Sequence, residues 1–382
     1  MSSALEILFW LCVGLIVWTQ VGYAIALAVL ARVLGQSATL AQLEQLPSLS
    51  LIVAAHDEQS VIVAKVENAL ALDYPRELLE LIVVCDGCSD ATATRAREAG
   101  ADVVIELPRG GKIRAQDAAV RGAHGEIVAF SDANALWAPD AAHALVGAFA
   151  DPRVGYACGQ VRFVQGASGA DATNQEGLYW RYEMAVRSLE SRLRSITAGN
   201  GAIYATRRDA YFEVDPIMGH DLSFPFNMVK RGLRAVYVPT AQASEKMVPS
   251  IKGEFARKRR MMSHTWPIVL RGGMLSPRGY GLGYGLMILS HRILRYATPL
   301  LHAVALLANV ILVLAGAGSL YTVTLALQLA LLAAAALAGS ARARPLLVAR
   351  YYVLTTASLA AGLWDWLRHG TEASWDAAEG TR

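Results

Sequence analysis

Charged residues are absent from Ile7 to Ala31 and again from Tyr296 to Ala341; between these apolar ends, short β-branched runs alternate with amphipathic stretches. A helix of about twenty residues crosses the hydrocarbon core of a bilayer at 1.5 Å per residue, so residues 1–35 predict one membrane span. The run is longer than an ordinary signal-peptide core and no basic segment precedes it, the first charge being Glu6, which argues for a retained span. In the second run, Gly316-Ala317-Gly318-Ser319 divides the stretch into a hairpin of two helices with an uncharged turn. A further segment, Pro345 to Trp364, contains Arg350, which must snorkel toward one surface. Residues 296–367 are thus expected to form about three membrane helices, followed by a tail, 368–382.

Basic residues orient these spans. Arg32 follows the first, and Arg342, Arg344 and Arg350 follow the hairpin, whereas its turn carries none. The positive-inside rule therefore puts the central region on the cytoplasmic side of a cell's inner (plasma) membrane. Four complete spans put the tail outside; a re-entrant last segment keeps it inside.

After a linker, 36–47, the pattern of residues 48–248 is that of an α/β domain. Leu49 to Ala54, Leu79 to Val84, Val103 to Leu107 and Glu126 to Phe130 read as strands, with Ser60 to Leu72 and Ala91 to Ala99 as crossover helices. Three of these strands end in polar clusters: Ala55-His56-Asp57-Glu58, Asp86-Gly87-Cys88-Ser89-Asp90 and Ser131-Asp132-Ala133-Asn134. In a mostly parallel sheet, ligands bind beyond the carboxyl ends of the strands, so the clusters should meet in one crevice.

Composition narrows the picture. The 382 residues are 54% hydrophobic and 18% charged, which excludes a disordered chain and argues against a wholly soluble enzyme. A formal charge of +3 gives no reason to expect a nucleic-acid partner. Four scattered cysteines make no disulfide framework, and Cys85-x-x-Cys88, a single pair without a second cluster, reads as packing rather than redox chemistry. Carboxylates at strand tips can accept from a nucleobase or ribose, or ligate a hard divalent cation that bridges phosphates. Lys112, after Gly110-Gly111, can supply counter-charge to a diphosphate. Neither G-x-G-x-x-G nor a Walker A motif is present, so dehydrogenase and P-loop readings have no support.

The ordered set formed by Ala54 to Glu58, Asp86 to Asp90, Gly111-Lys112, Ser131 to Asn134, Gly219-His220-Asp221 and Arg257 to Arg260 resembles the membrane-integrated family 2 glycosyltransferases, relatives of cellulose, hyaluronan and poly-N-acetylglucosamine synthases. The resemblance implies a GT-A nucleotide-sugar-binding domain with a mixed, mostly parallel sheet, an inverting reaction and a UDP-sugar donor. It places Ala55, Glu58, Asp86, Lys112, Asp132, Arg257 and Arg260 at the donor. Asp132 and Asn134 fall on the family's D-x-D, where they would hold Mg²⁺ or Mn²⁺. Asn134 is a neutral oxygen ligand where the family has a carboxylate, which weakens the electrostatic hold on the ion. Asp221 matches the catalytic base that takes the proton of the acceptor hydroxyl. It is expected at the start of a helix running to Gly232, where the dipole favours its ionised form. His220 beside it reads as structural.

Arg260 matches the arginine of Q-x-x-R-W, a bidentate partner for diphosphate oxygens, while Arg257 and Met261 replace the glutamine and tryptophan. Trp266, one turn on, is the candidate substitute on the acceptor side. Trp180, in the acceptor-side helix, and Gly201, in the glycine-rich strand Thr197 to Ala202, join it there. Pro249 to Arg295 reads as interface helices against membrane lipids. The acceptor is a lipid-linked molecule or a glycan, and the product is a polymer or a single-transfer product. The alternative is a catalytically silent nucleotide-sugar-binding or scaffold subunit of a polysaccharide secretion complex, which the altered motif positions allow and the retained Asp221 opposes.

Overall fold

The computed structural model describes residues 2–35, 45–164, 170–246, 251–338 and 343–373. Most of the expected linker, together with Pro249, Arg342 and residues 374–382 of the tail, lies outside the described residues. Eight strands form one sheet: β1 (Leu49–Ala55), β2 (Leu79–Asp86), β3 (Val103–Leu107), β4 (Ile127–Asp132), β5 (Leu136–Trp137), β6 (Val154–Val164), β7 (Ile203–Arg207) and β8 (Arg234–Lys246). Their order is β3-β2-β1-β4-β7-β6-β8-β5. The first four strands in that order run parallel; β7 is antiparallel to β4 and to β6.

Period-two alternation decides which side chain goes to which face. Leu49, Leu51, Val53 and Ala55 of β1 join Ile62, Val66, Leu81 and Val83 in one core, while Ile52 and Ala54 join Ile82, Val84, Val128 and Phe130 in the other. Burial on both faces is why these strands read as unbroken apolar runs. The tips extend further than that run: β2 reaches Asp86 because Asp86 still pairs with Leu107 of β3. In contrast, the expected glycine-rich strand is a loop, and β7 begins only at Ile203. Asn200 explains the delay, since its amide donates to Gly159 O (2.5 Å) and its side-chain oxygen accepts from Ile203 N (2.9 Å), closing a turn in place of a ladder.

Among the described residues, three helices are long and apolar enough to cross a membrane, Ser3–Val33, Ser319–Leu337 and Arg344–His369. A fourth candidate is the pair Leu282–Tyr296 and Thr298–Leu314, bent by 64°. Leu300, Leu307, Leu320, Leu327 and Leu332 are exposed on these helices, an arrangement suited to a hydrocarbon solvent. A further core joins the apolar helices to the α/β domain: Tyr23 and Leu27 of the first helix pack with Val186, Phe226, Ile268, Tyr284, Tyr296 and Leu359. The last helix lies along the helix Ile251–Leu270. Arg259 pairs with Asp365, Lys258 donates to Tyr351 OH (2.6 Å), and Trp266 Nε1 donates to Leu359 O (2.9 Å). Beyond it, Thr371 Oγ1 donates to Ser263 O (2.8 Å), so the chain turns back onto the same helix.

Candidate active site

Strand register brings the predicted carboxylates together. Ala55, the last residue of β1, is paired with Cys85, and Ala54 with Asp132, so Asp86 and Asp132 stand at the same sheet edge on either side of β1. Asp86 is 1% exposed, and its two carboxylate oxygens accept from Gly110 N (2.6 Å) and Gly111 N (2.9 Å). These bonds fold the glycine loop over the sheet edge. The helix Lys112–Gly122 starts there, and its first residue turns inward to form an ion pair with Asp132. Gly201 faces the same ammonium group: a Cβ built at that position stands 3.4 Å from Lys112 Nζ.

Asp221 is the second residue of the helix His220–Lys230, as its N-terminal setting required. Its backbone carbonyl accepts from Gly199 N (2.6 Å), and Gly199 O accepts from Arg187 Nη2 (2.9 Å). Burial pushes the Asp221 carboxyl above the usual carboxylate range; Lys112, the Leu222 N–H and Arg187 oppose this, and the charge of Asp132 adds to it. Asp221, Asp132 and Lys112 are therefore near enough for their charges to act on one another. His220 points the other way, into aromatic packing. Its Nδ1 bonds Tyr204 OH (2.8 Å), its ring stacks on Phe224 at 4.1 Å, and burial lowers its pKa to about 3, which leaves it neutral and structural.

The D-x-D turn is pinned from behind by a residue the sequence analysis did not single out. Lys65, fully buried, donates to Ala135 O (2.6 Å), and Ala135 N donates to Asp132 O (3.1 Å). Burial lowers the Lys65 pKa to about 7, against the charges of Asp132 and Glu245. Glu245 is the second omission. It follows Ser244, the partner of Leu136, so the β5–β8 ladder carries it to the level of Ala135, beside the turn. Burial first, then Asp132, raise its pKa to about 7, with Lys112, Arg257 and Lys65 opposing. Both had a signal. Lys65 occupies the apolar face of its helix with Ile62, Val66 and Ala69, and Glu245 continues the inward alternation of Ala241 and Ala243.

Other expected residues lie further out. The Glu58 backbone N–H donates to Thr92 Oγ1 (2.8 Å), anchoring the loop after β1. Arg257 acts on Glu245, and exposed Arg260 acts with Asp221 on His264 between them. Trp180 donates from its indole to Val161 O (3.0 Å) and packs edge-on to Phe163 at 5.3 Å. Trp266 packs beside Tyr296 (6.1 Å) at the seam with the last helix. Neither indole is brought to the Asp132–Lys112 pair by any of these contacts. Asp57, Cys88 and Asp90 come within ligand distance of one another. Their carboxylates, however, accept from Ser89, Gln59 and Thr92 backbone N–H groups and so serve as loop bonds.

This architecture is that of a GT-A nucleotide-sugar-binding domain, and residues 47–263, more than half of the chain, match the family model described as glycosyltransferase like family 2. The chain belongs to that family of glycosyltransferases. Among curated relatives, an N-acetylglucosaminyltransferase of Mesorhizobium japonicum is 28% identical over 238 residues, 56% of this chain and 55% of the relative. A poly-beta-1,6-N-acetyl-D-glucosamine synthase of Staphylococcus aureus is 22% identical over 238 residues, 60% of this chain and 57% of the relative. The chain thus spans little more than half the length of the curated relatives it matches. Among solved structures, the mannosyltransferase PcManGT of Pyrobaculum calidifontis, in complex with GDP-Man and Mn²⁺, superposes with a TM-score of 0.72 at 23% identity, covering 94% of this chain and 99% of that one. That likeness concerns the fold, apolar helices included.

Proposed function

We propose that the chain is an inverting, membrane-integrated glycosyltransferase that moves a sugar from a UDP-sugar to a lipid-linked or saccharide acceptor at the cytoplasmic face. The observation that carries this reading is the shared cleft of Asp132, Lys112 and Asp221 beyond the carboxyl ends of β1, β2 and β4. N-acetylglucosamine is the first donor sugar to test, because the curated relatives are named for its transfer.

The donor set suits a hard divalent cation. Asp132 and Asn134 offer two oxygens from one turn, and the Lys112 ammonium already rests on the Asp132 carboxylate. Mg²⁺ or Mn²⁺ held by Asp132 and Asn134 would neutralise the departing diphosphate. The protein's own groups do the rest. Asp86 fixes the glycine loop that aims Lys112, which with Arg257 and Arg260 surrounds the phosphates with positive charge. Asp221 accepts the proton of the acceptor hydroxyl as that oxygen bonds to the anomeric carbon and the bond to the diphosphate oxygen breaks, releasing UDP. No second acid is needed, since a nucleoside diphosphate leaves as a stabilised anion. Burial raises the pKa of Asp221, which makes it a better base than an ordinary carboxylate, while Lys112 and the Leu222 N–H oppose the shift.

The test is nucleotide release by the full-length protein in detergent with Mn²⁺, offered UDP-N-acetylglucosamine, UDP-glucose and GDP-mannose. UDP release that EDTA stops and Asp221→Asn abolishes is the expected result. No release from any donor, with folded protein, would overturn the enzyme reading in favour of a silent binding subunit.

A further inference from the structure

We propose that an arginine-lined cavity beside the active site seats the phosphate head of a membrane lipid, whose hydrocarbon tail lies in an adjoining apolar chamber, and that this lipid carries the acceptor. The acceptor role rests on the glycosyl-transfer reading above; the binding site stands on its own geometry.

The cavity, of about 810 Å³, lies where the first apolar helix (Gln20, Val21), the helix Ala170–Leu193 and the last helix meet the bend before Thr298. Arg181, Arg292 and Arg295 line it, and Lys258 donates to two of its wall hydroxyls, Tyr351 (2.6 Å) and Thr355 (3.2 Å). Two carboxylates oppose these four cations. Glu183 pairs with Arg295, Glu190 acts on Arg292, and both contact His291, at 3.4 and 2.7 Å. Among the described residues, leaving His291 out of the count, four minus two leaves two positive charges in excess. Arg292 shows where an anion would be felt. The residue is 7% exposed, its Nε donates to Thr197 Oγ1 (2.8 Å), and its buried Nη2 has no hydrogen-bond partner among the described residues. A buried donor left unpaired is costly, and a phosphate oxygen is the acceptor best matched to a guanidinium.

Free phosphate would satisfy the charge but not the rest of the space. Tyr352 and Thr356 also border a second cavity of about 260 Å³, walled by Pro299, Leu306, Leu331 and Val353 between the apolar helices. A charged chamber opening into an apolar one fits a phosphate on a hydrocarbon chain. Its position suits an acceptor: the wall residue Tyr296 feels the charge of Asp221. Thr197, which accepts from Arg292, belongs to the loop whose Gly199 N–H holds the Asp221 carbonyl.

The experiment uses the full chain in phosphatidylcholine nanodiscs titrated with dodecyl phosphate, with dodecanol and inorganic phosphate as separate arms. Saturable binding of dodecyl phosphate alone is expected. Arg181→Gln, a change at an exposed position, should weaken it about tenfold, the share of one charge-assisted hydrogen bond. Thr356→Trp, which narrows the join between the chambers, should weaken it further; the unfolding midpoint of each variant without ligand reports that it is folded. Equal binding of dodecanol would overturn the head-group assignment, and equal binding of inorganic phosphate would overturn the lipid one. Wild-type affinity in Arg181→Gln would overturn the cavity itself. Mn²⁺-dependent UDP binding, measured on the same sample, separates the two claims. UDP bound with dodecyl phosphate ignored removes the lipid site alone; dodecyl phosphate bound with no UDP release removes the transfer reading alone.

Discussion

Alanine at position 199 should unseat the proposed base through packing alone. A methyl group there overlaps the Tyr156 hydroxyl and stands 2.8 Å from Cζ and 3.0 Å from Cε1. Tyr156 is 0% exposed, so its ring has nowhere to swing, and one partner must move by about 1 Å or more. Overpacking of this kind costs about 1–3 kcal/mol, or about 3–10 °C in the unfolding midpoint. The movement reaches Asp221 directly, because Gly199 N donates to its carbonyl at 2.6 Å. Tyr156→Phe supplies the control. The Tyr156 hydroxyl has no hydrogen-bond partner among the described residues, so its removal alone should leave stability within about 1 kcal/mol of wild type. Combined with Gly199→Ala it should recover about half of the loss, a coupling of about 1 kcal/mol in a double-mutant cycle. Thermal unfolding of the four proteins in one detergent, with UDP release at a permissive temperature, measures both effects. A wild-type midpoint for Gly199→Ala, or strictly additive changes, would refute the reasoning.

Two further perturbations address the charges around the cleft. Glu245→Gln removes a half-buried carboxylate beside the D-x-D turn and should weaken Mn²⁺-dependent UDP binding about tenfold at pH 8, as titration calorimetry would register; unchanged affinity would exclude Glu245 from the site. Asp117 tests linkage away from the cleft. Burial raises its pKa to about 6, although Tyr211 OH donates to it at 2.5 Å, so the native state holds its proton more tightly than the unfolded chain. Its stabilising contribution is complete below the unfolded value and fades as the pH rises through about 6. Asp117→Asn should therefore raise the unfolding midpoint at pH 8, by about 1–2 kcal/mol after allowance for solvent screening, and not at pH 4. Equal shifts at both pH values would contradict this.

Much of the architecture was legible because its signals are periodic. The charge-free runs located the apolar helices, and the short β-branched runs located β1 and β2, the strands whose tips carry Ala55 and Asp86. What the pattern did not reveal was pairing. β5 to β8 are short or interrupted, and their neighbours in the sheet lie far along the chain, so the level at which Glu245 meets Ala135 follows only from register. Lys65 and Glu245 were hidden by being charged at apolar positions, which a search for clusters at strand tips passes over. In the glycine-rich segment, expected as a strand and found as a loop, Gly199 is small because Tyr156 lies against it, and Gly201 looks toward Lys112. Beyond the last apolar helix, Thr371 bonds Ser263 in the helix Ile251–Leu270, a contact that charge counting does not show.

The most direct test of the shared cleft is calorimetric titration of UDP into the full-length protein with Mn²⁺, comparing wild type with Lys112→Met, Asp132→Ala and Asp221→Asn. Loss of about tenfold or more in affinity is expected for the first two, each of which removes a charge from the donor side. Asp221→Asn should bind UDP as wild type does and release none from a UDP-sugar. Equal UDP affinity in all four proteins would contradict the account, because Asp132 and Lys112 would then face something other than the nucleotide.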